Sequence, residues 1–226
     1  MTLLIFDCDG VLVDSEIIAL DGLARLLTAL GRPSDLAECR RLFMGKSLKD
    51  VLAEIETMIG GPLPEDRGRQ ANEELLDRLR RELRPVEGVA EAIAQLVYAR
   101  CVASSSQPER IKLSLDVTSL APLFGEHVFS AAQVEHGKPA PDLFLHAAAA
   151  CGFAPAQCIV IEDSPAGIMA ARRANMEVIG FVGASHADAA LAHALVSAGA
   201  GTVITRMTDL PAAVESLVVA RRELAS

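Results

Sequence analysis

Two aspartates follow the first apolar run of the chain: Leu3-Leu4-Ile5-Phe6 leads directly into Asp7-Cys8-Asp9-Gly10. A second acidic pair, Glu162-Asp163, follows the apolar run 158–161, and a third strand-like run, 101–103, ends in Ser104. In an open parallel sheet, ligands bind beyond the carboxyl ends of the strands. These residues are therefore candidates for one shared site. Carboxylates gathered in one place repel one another and resist full ionisation. A hard divalent cation relieves that repulsion, and Mg2+ takes a few carboxylates together with waters and phosphate oxygens.

The charge of the chain makes a matching demand. Its net charge is −9, so a phosphate ester is repelled at long range and its binding needs a local positive group. A cation bridging carboxylates and a phosphate oxygen supplies one. Lys138 supplies a second.

The elements that must position these residues follow from hydrophobic patterning. Residues 3–6 suit a strand buried on both faces. From residue 85 onward, strand-like runs at 101–103, 127–129, 158–161, 178–181 and 202–204 alternate with helical segments. Such alternation predicts a mainly parallel sheet covered on both faces. Ser106-Gln107-Pro108-Glu109 reads as a capping box, and Ser164-Pro165 as a helix cap followed by proline at the first position. Residues 15–84 differ, because Leu20, Leu23, Leu27 and Leu30 recur at helical spacing. Ser47-Leu48-Lys49-Asp50 opens another helix, and 72–83 completes a helical set with no convincing strand. The predicted fold is α/β, a Rossmann-like parallel sheet core flanked by helices (1–14 and 85–226) with an inserted all-helical cap domain (15–84). Residues 15–84 hold 12 basic and 13 acidic side chains, so most of the net acidity belongs to the sheet domain.

Composition excludes several classes. Aromatics are 4 %, with no Trp and one Tyr, so stacking on bases is not expected. The acidity argues against nucleic acid or an anionic membrane surface as partner. Cys8, Cys39, Cys101, Cys151 and Cys158 form no CxxC pair and read as reduced thiols of a cytoplasmic protein. No signal peptide or membrane span is expected. His127, His136, His146, His186 and His193 show no metal spacing and read as structural or surface residues.

The segment Asp7-Cys8-Asp9-Gly10-Val11-Leu12-Val13-Asp14-Ser15 resembles the first motif of the haloacid dehalogenase-like superfamily. Ser104 matches the second motif, Lys138-Pro139 the third and Glu162-Asp163-Ser164 the fourth. Their order and separation are similar to the subfamily with a helical cap after the first strand. The resemblance implies that Asp7 is the nucleophile and forms an aspartyl phosphate. It implies that Asp9 protonates the leaving oxygen and then activates water. It also implies a Mg2+ site made by Asp7, the Asp9 carbonyl, Asp163 and Glu162. Ser104, Ser105 and Lys138 would hold the transferring oxygens, and Gly10 would permit the sharp exit of the strand beside them. Singly, each position has a bland reading: a solvated turn, a strand end, a surface lysine, a helix cap. Ser106 reads as a cap only. Four motifs in register on the right element ends argue for chemistry.

Departures from the family's other branches narrow the expected reaction. True dehalogenases and phosphonate-cleaving relatives lack the acid at the Asp9 position. The mutase branch carries a cap histidine where Ala19 stands and a cap arginine where Leu48 stands. The expectation is therefore a Mg2+-dependent phosphatase acting on a small phosphorylated metabolite, a sugar phosphate or phosphogluconate-like compound. The alternatives are a β-phosphoglucomutase-type mutase and a non-catalytic binding module. The cap is expected to decide specificity, with Lys46 as a candidate for the distal end of the substrate, and the chain to be a monomer or weak homodimer.

Overall fold

A computed structural model describes residues 1–44 and 48–224. The chain divides into two compact units: Met1–Asp14 with Arg84–Ser226, and Ser15–Leu83. The first strand, β1 (Leu3–Phe6), precedes four helices, α1 (Glu16–Ala29), α2 (Leu36–Phe43), α3 (Leu48–Ile59) and α4 (Glu65–Glu82). The rest of the chain alternates: α5 (Val89–Ala94), β2 (Ala99–Ser104), α6 (Pro108–Val117), β3 (Val128–Ser130), α7 (Asp142–Ala150), β4 (Cys158–Glu162). It continues with α8 (Pro165–Arg173), β5 (Glu177–Phe181), α9 (Ala189–Ser197), β6 (Thr202–Ile204) and α10 (Leu210–Leu224).

The six strands form one parallel sheet in the order β3-β2-β1-β4-β5-β6. The chain leaves β1 toward β2 and β3, then crosses to the other side of β1 for β4, β5 and β6. This reversal makes the β1/β4 boundary a topological switch point, where the loops part and leave a crevice. All four residues of β1 are buried, as expected for a central strand covered on both faces. Alternation along the strands then sorts the side chains. Ile5, Cys101, Ala103 and Val160 pack with Phe144 and Ala147 of α7 and Ile168 of α8, while Phe6 meets Phe124 edge-on at 5.7 Å.

The inserted unit has its own core, built from Leu20, Ala24 and Leu27 of α1, Cys39 and Phe43 of α2, and Val51 and Ile55 of α3. Of the apolar stripe predicted on α1, Leu20 and Leu27 are buried, while Leu23 and Leu30 pack partly buried against the same core. α2 is a helix that the periodicity does not reveal, since its only buried residues are Cys39 and Phe43, one turn apart. Asp35 starts it, its Oδ1 accepting the N–H of Glu38 at 2.8 Å. Arg78 of α4 ties the unit together, with Nη1 on Asp21 Oδ2 at 2.6 Å and Nη2 on Glu82 Oε2 at 2.8 Å. No helix among the described residues is long and apolar enough to cross a membrane.

One expected element start is corrected. The capping box at residues 106–109 does not form: Gln107 occupies the cap position of α6 and no side chain caps it. The proline that follows already removes one orphan N–H, which leaves the Ser106 hydroxyl for another partner, described below.

Ile55 is fully buried in the helical unit. Ile55→Ala is expected to destabilise the protein by about 2–5 kcal/mol, read as a lower urea midpoint by circular dichroism. Val97 is 89 % exposed, and Val97→Ser is expected to stay within about 0.5 kcal/mol of the parent.

Candidate active site

The strand register sets the site. Phe6 lies opposite Ile161 and Val102, and the Asp7 N–H donates to the Ile161 carbonyl at 3.0 Å. Asp7 is therefore level with the start of the Glu162-Asp163 pair at the switch point. Lys138, on the segment before α7, joins the two strands. Its Nζ donates to Asp7 Oδ1 at 2.7 Å, Glu162 Oε2 at 2.8 Å and the Ala103 carbonyl at 3.1 Å. An ammonium has three protons, and all three are used. The head also lies 4.9 Å from the centre of the Phe144 ring.

Glu162 is fully buried. Its second oxygen accepts from the Ser164 N–H at 3.2 Å and the Ser164 hydroxyl at 2.6 Å, and Ser164 Oγ in turn caps α8 through the Gly167 N–H at 3.0 Å. A Cβ on Gly167 would overlap the Glu162 carboxylate, so the first turn of α8 needs a glycine there. Both oxygens of Glu162 are thus committed within the protein.

Asp7, Glu162 and Asp163 each offer an oxygen within 4.8 Å of the others. Burial pushes the Asp7 carboxyl well above its ordinary pKa, and neighbouring Glu162 pushes it further, against the pull of Lys138. Burial likewise raises Asp163, with Glu162 adding to it and His186 and Lys138 opposing. Burial pulls the Lys138 pKa down, yet the charges of Asp7 and Glu162 outweigh it and raise the pKa. Three carboxylates facing one ammonium leave excess negative charge in a buried place. Hard oxygen donors with residual negative charge fit a divalent cation, and with Glu162 occupied, Asp7 and Asp163 are the side chains best able to hold one.

The turn after β1 sends Asp9 elsewhere. Gly10 has φ +78°, and its N–H donates to the Val13 carbonyl at 2.8 Å. A Cβ there would overlap the Asp163 carboxylate, so both conformation and proximity demand glycine. The Asp9 carboxylate accepts from Ser106 Oγ at 2.6 Å and from Arg110 Nη2 at 2.7 Å. Ser104 is buried, its hydroxyl accepting the Ser106 N–H at 3.1 Å, whereas Ser105 is exposed. Lys46 lies outside the described residues, as does the side chain of Lys49.

The structure brings Asp7, Gly10, Lys138, Glu162 and Asp163 together and places Asp9 on the turn after β1 and Ser104 at the last residue of β2. Sequence reasoning missed Arg110 and Ser106 as partners of Asp9 and took His186 for a structural or surface residue. His186 is buried, with Nε2 3.1 Å from Asp163 Oδ2. The signal for it was available, because His186 follows the carboxyl end of β5, the same sheet edge that selects the other residues.

Two outcomes test this electrostatic picture. Lys138→Met leaves two buried carboxylates without their cation and is expected to cost about 3–5 kcal/mol, measured by chemical unfolding in chelator. Asp7→Asn is expected to raise the unfolding temperature of the metal-free protein at pH 8. An acid with a raised folded pKa stabilises the fold only while protonated, and that stability is lost as pH rises through the folded value. The advantage of the amide is therefore expected to shrink as pH falls through the folded pKa of Asp7, and an advantage that grows toward acid would contradict the burial of this charge.

The chain is similar to known proteins along most of its length. The family model of haloacid dehalogenase-like hydrolases matches residues 1–175. A 6-phosphogluconate phosphatase of Escherichia coli (strain K12) is 28 % identical over 207 residues, covering 91 % of each chain. A phosphatase of phosphorylated carbohydrates from Thermotoga maritima is 30 % identical over 183 residues, covering 79 % of this chain and 84 % of its own. Among solved structures, a haloacid dehalogenase-like protein of unknown function from Agrobacterium tumefaciens str. C58 is 42 % identical with a TM-score of 0.85, covering 96 % of this chain and 99 % of its own. With the matched residues including Asp7, Lys138 and Asp163, the chain belongs to the haloacid dehalogenase-like hydrolases.

Proposed function

We propose that the chain is a Mg2+-dependent phosphatase that hydrolyses a small sugar phosphate or phosphogluconate-like monoester through an aspartyl phosphate on Asp7. The observation that carries this reading is the Asp7 carboxylate, buried at the switch point, bonded to Lys138 and within ligand distance of Asp163. The named activities of the Escherichia coli and Thermotoga maritima relatives support the substrate class.

In this reading Asp7 attacks phosphorus and the ester oxygen departs with a proton from Asp9. Asp9 then takes a proton from the water that hydrolyses the aspartyl phosphate, which regenerates Asp7. Lys138 stays beside the reacting carboxylate and balances charge on the transferring oxygens, with Ser104 and Ser105 as further donors, while the Gly10 N–H is taken by the Val13 carbonyl. Asp7, Asp163 and the Asp9 carbonyl would hold Mg2+, which supplies Lewis-acid neutralisation of phosphate charge. Glu162 anchors Lys138 and the start of α8. The Asp9 carboxylate, bonded here to Ser106 and Arg110, must leave those donors and take up a proton from solvent before it can act as the acid toward the ester oxygen, and catalytic hydrogen bonds commonly tighten only with substrate bound.

Phosphate release from 6-phosphogluconate, a panel of sugar phosphates and p-nitrophenyl phosphate tests the proposal. Turnover is expected with Mg2+, lost on chelation, and reduced by at least about a thousandfold in Asp7→Asn. Absence of hydrolysis across the whole panel, or full activity in Asp7→Asn, would overturn it.

A further inference from the structure

The loop that follows β5 lies outside the four motifs, yet it reaches the acidic edge. It is held by contacts within the sheet unit. Val182 extends the strand pairing, its N–H donating to the Ile204 carbonyl at 3.0 Å. A Cβ on Gly183 would crowd the Thr205 carbonyl oxygen and the Phe181 ring, so the chain passes close to both. Ser185 then ties the loop to the end of the first motif: its hydroxyl donates to Asp14 Oδ1 at 2.7 Å and its N–H lies 3.3 Å from both Asp14 oxygens. The next residue is His186. Its side chain is 4 % exposed and that of Asp163 is 9 % exposed, with Nε2 to Oδ2 at 3.1 Å. The other side of this contact is the backbone at Gly10, where a Cβ would also press on the imidazole carbon Cε1.

Among the hydrogen bonds of the described residues, none of the motif residues donates to the Asp163 side chain, which packs against the backbone at Gly10. We propose that His186 is a positioning residue for the metal edge: it holds Oδ2 of Asp163 and so leaves Oδ1 as the oxygen presented to a divalent cation. Carboxylates that ligate metals are commonly fixed by such outer hydrogen bonds, and losing one costs about 10–100-fold in metal affinity or activity. The loop 182–188, latched by Ser185 on Asp14, thereby becomes a fifth contributor to the site alongside the four motifs. Asp14 acquires a role as well, since it anchors the loop that carries the imidazole. The inference rests on the metal reading of Asp7 and Asp163 given above.

Binding of Mn2+ as the probe, followed by loss of the free-ion paramagnetic signal and without substrate, tests it. His186→Leu fills the space without a donor, whereas the side-chain amide of His186→Gln carries one at a similar reach. The leucine variant is expected to bind Mn2+ about 10–100-fold more weakly, with the glutamine variant close to the parent and the unfolding temperatures in chelator similar. Ser185→Ala, a change at an exposed position, is expected to weaken binding a few-fold and serves where the leucine variant does not fold. Parent-like affinity in both the leucine and alanine variants, or equal losses in leucine and glutamine, would overturn the role of His186. A parent protein that binds no Mn2+ would instead overturn the metal reading itself.

Discussion

The ammonium of Lys138 sits inside the protein, and its three protons go to Asp7, Glu162 and the Ala103 carbonyl. These acceptors belong to or follow three neighbouring strands, β1, β4 and β2, at the carboxyl edge of the sheet. Removing any one of them would leave a buried charge or donor without compensation, a far greater cost than the pair contributes when intact. The lysine thus fixes the relative height of the strand ends and the direction in which the Asp7 carboxylate points. Ser164 completes the set by occupying the other oxygen of Glu162 while capping α8.

Electrostatic consequences follow from the same contact. Lys138 neutralises one unit of charge among three carboxylates, and burial disfavours ionisation of the remainder. The site is therefore unsettled by itself and favours a cationic occupant followed by an anionic one. For an acidic chain, −9 overall, the proposed binding of a phosphate ester then rests on local charge, a cation and Lys138, rather than on the field of the whole surface.

Asp7 and Asp9 are two residues apart but belong to different networks. The chain leaves β1 between them, with Asp7 bonded to Lys138 and Asp9 to Ser106 on the β2–α6 connection and Arg110 of α6. Two carboxylates of identical chemistry thereby acquire different environments, as the proposed roles of nucleophile and proton carrier require. Gly10 is required twice over, by its positive φ and by the Asp163 carboxylate that occupies the place of a Cβ.

Much of this was legible in the chain itself. Apolar runs followed by Asp7, Ser104 and Glu162-Asp163 named the buried strands and their edge, because a central parallel strand has no polar face and its first polar residues must fall at its ends. The strand boundaries read from sequence lie within one or two residues of β1 to β6, and the leucine spacing of α1 exposed a helical unit with its own core. Short α2 escaped because two buried residues make no period. Local spacing also assigned Ser106 to a cap and gave no sign that His186 lies against Asp163. Their partners, Asp9 and Asp163, are 97 and 23 positions away in sequence. Residue types and element ends are set by local propensity and burial, so the sequence alone determined which side chains could do chemistry and on which edge. Which oxygen each donor holds depends on side chains brought together by strand order and register, and only the tertiary structure decided that.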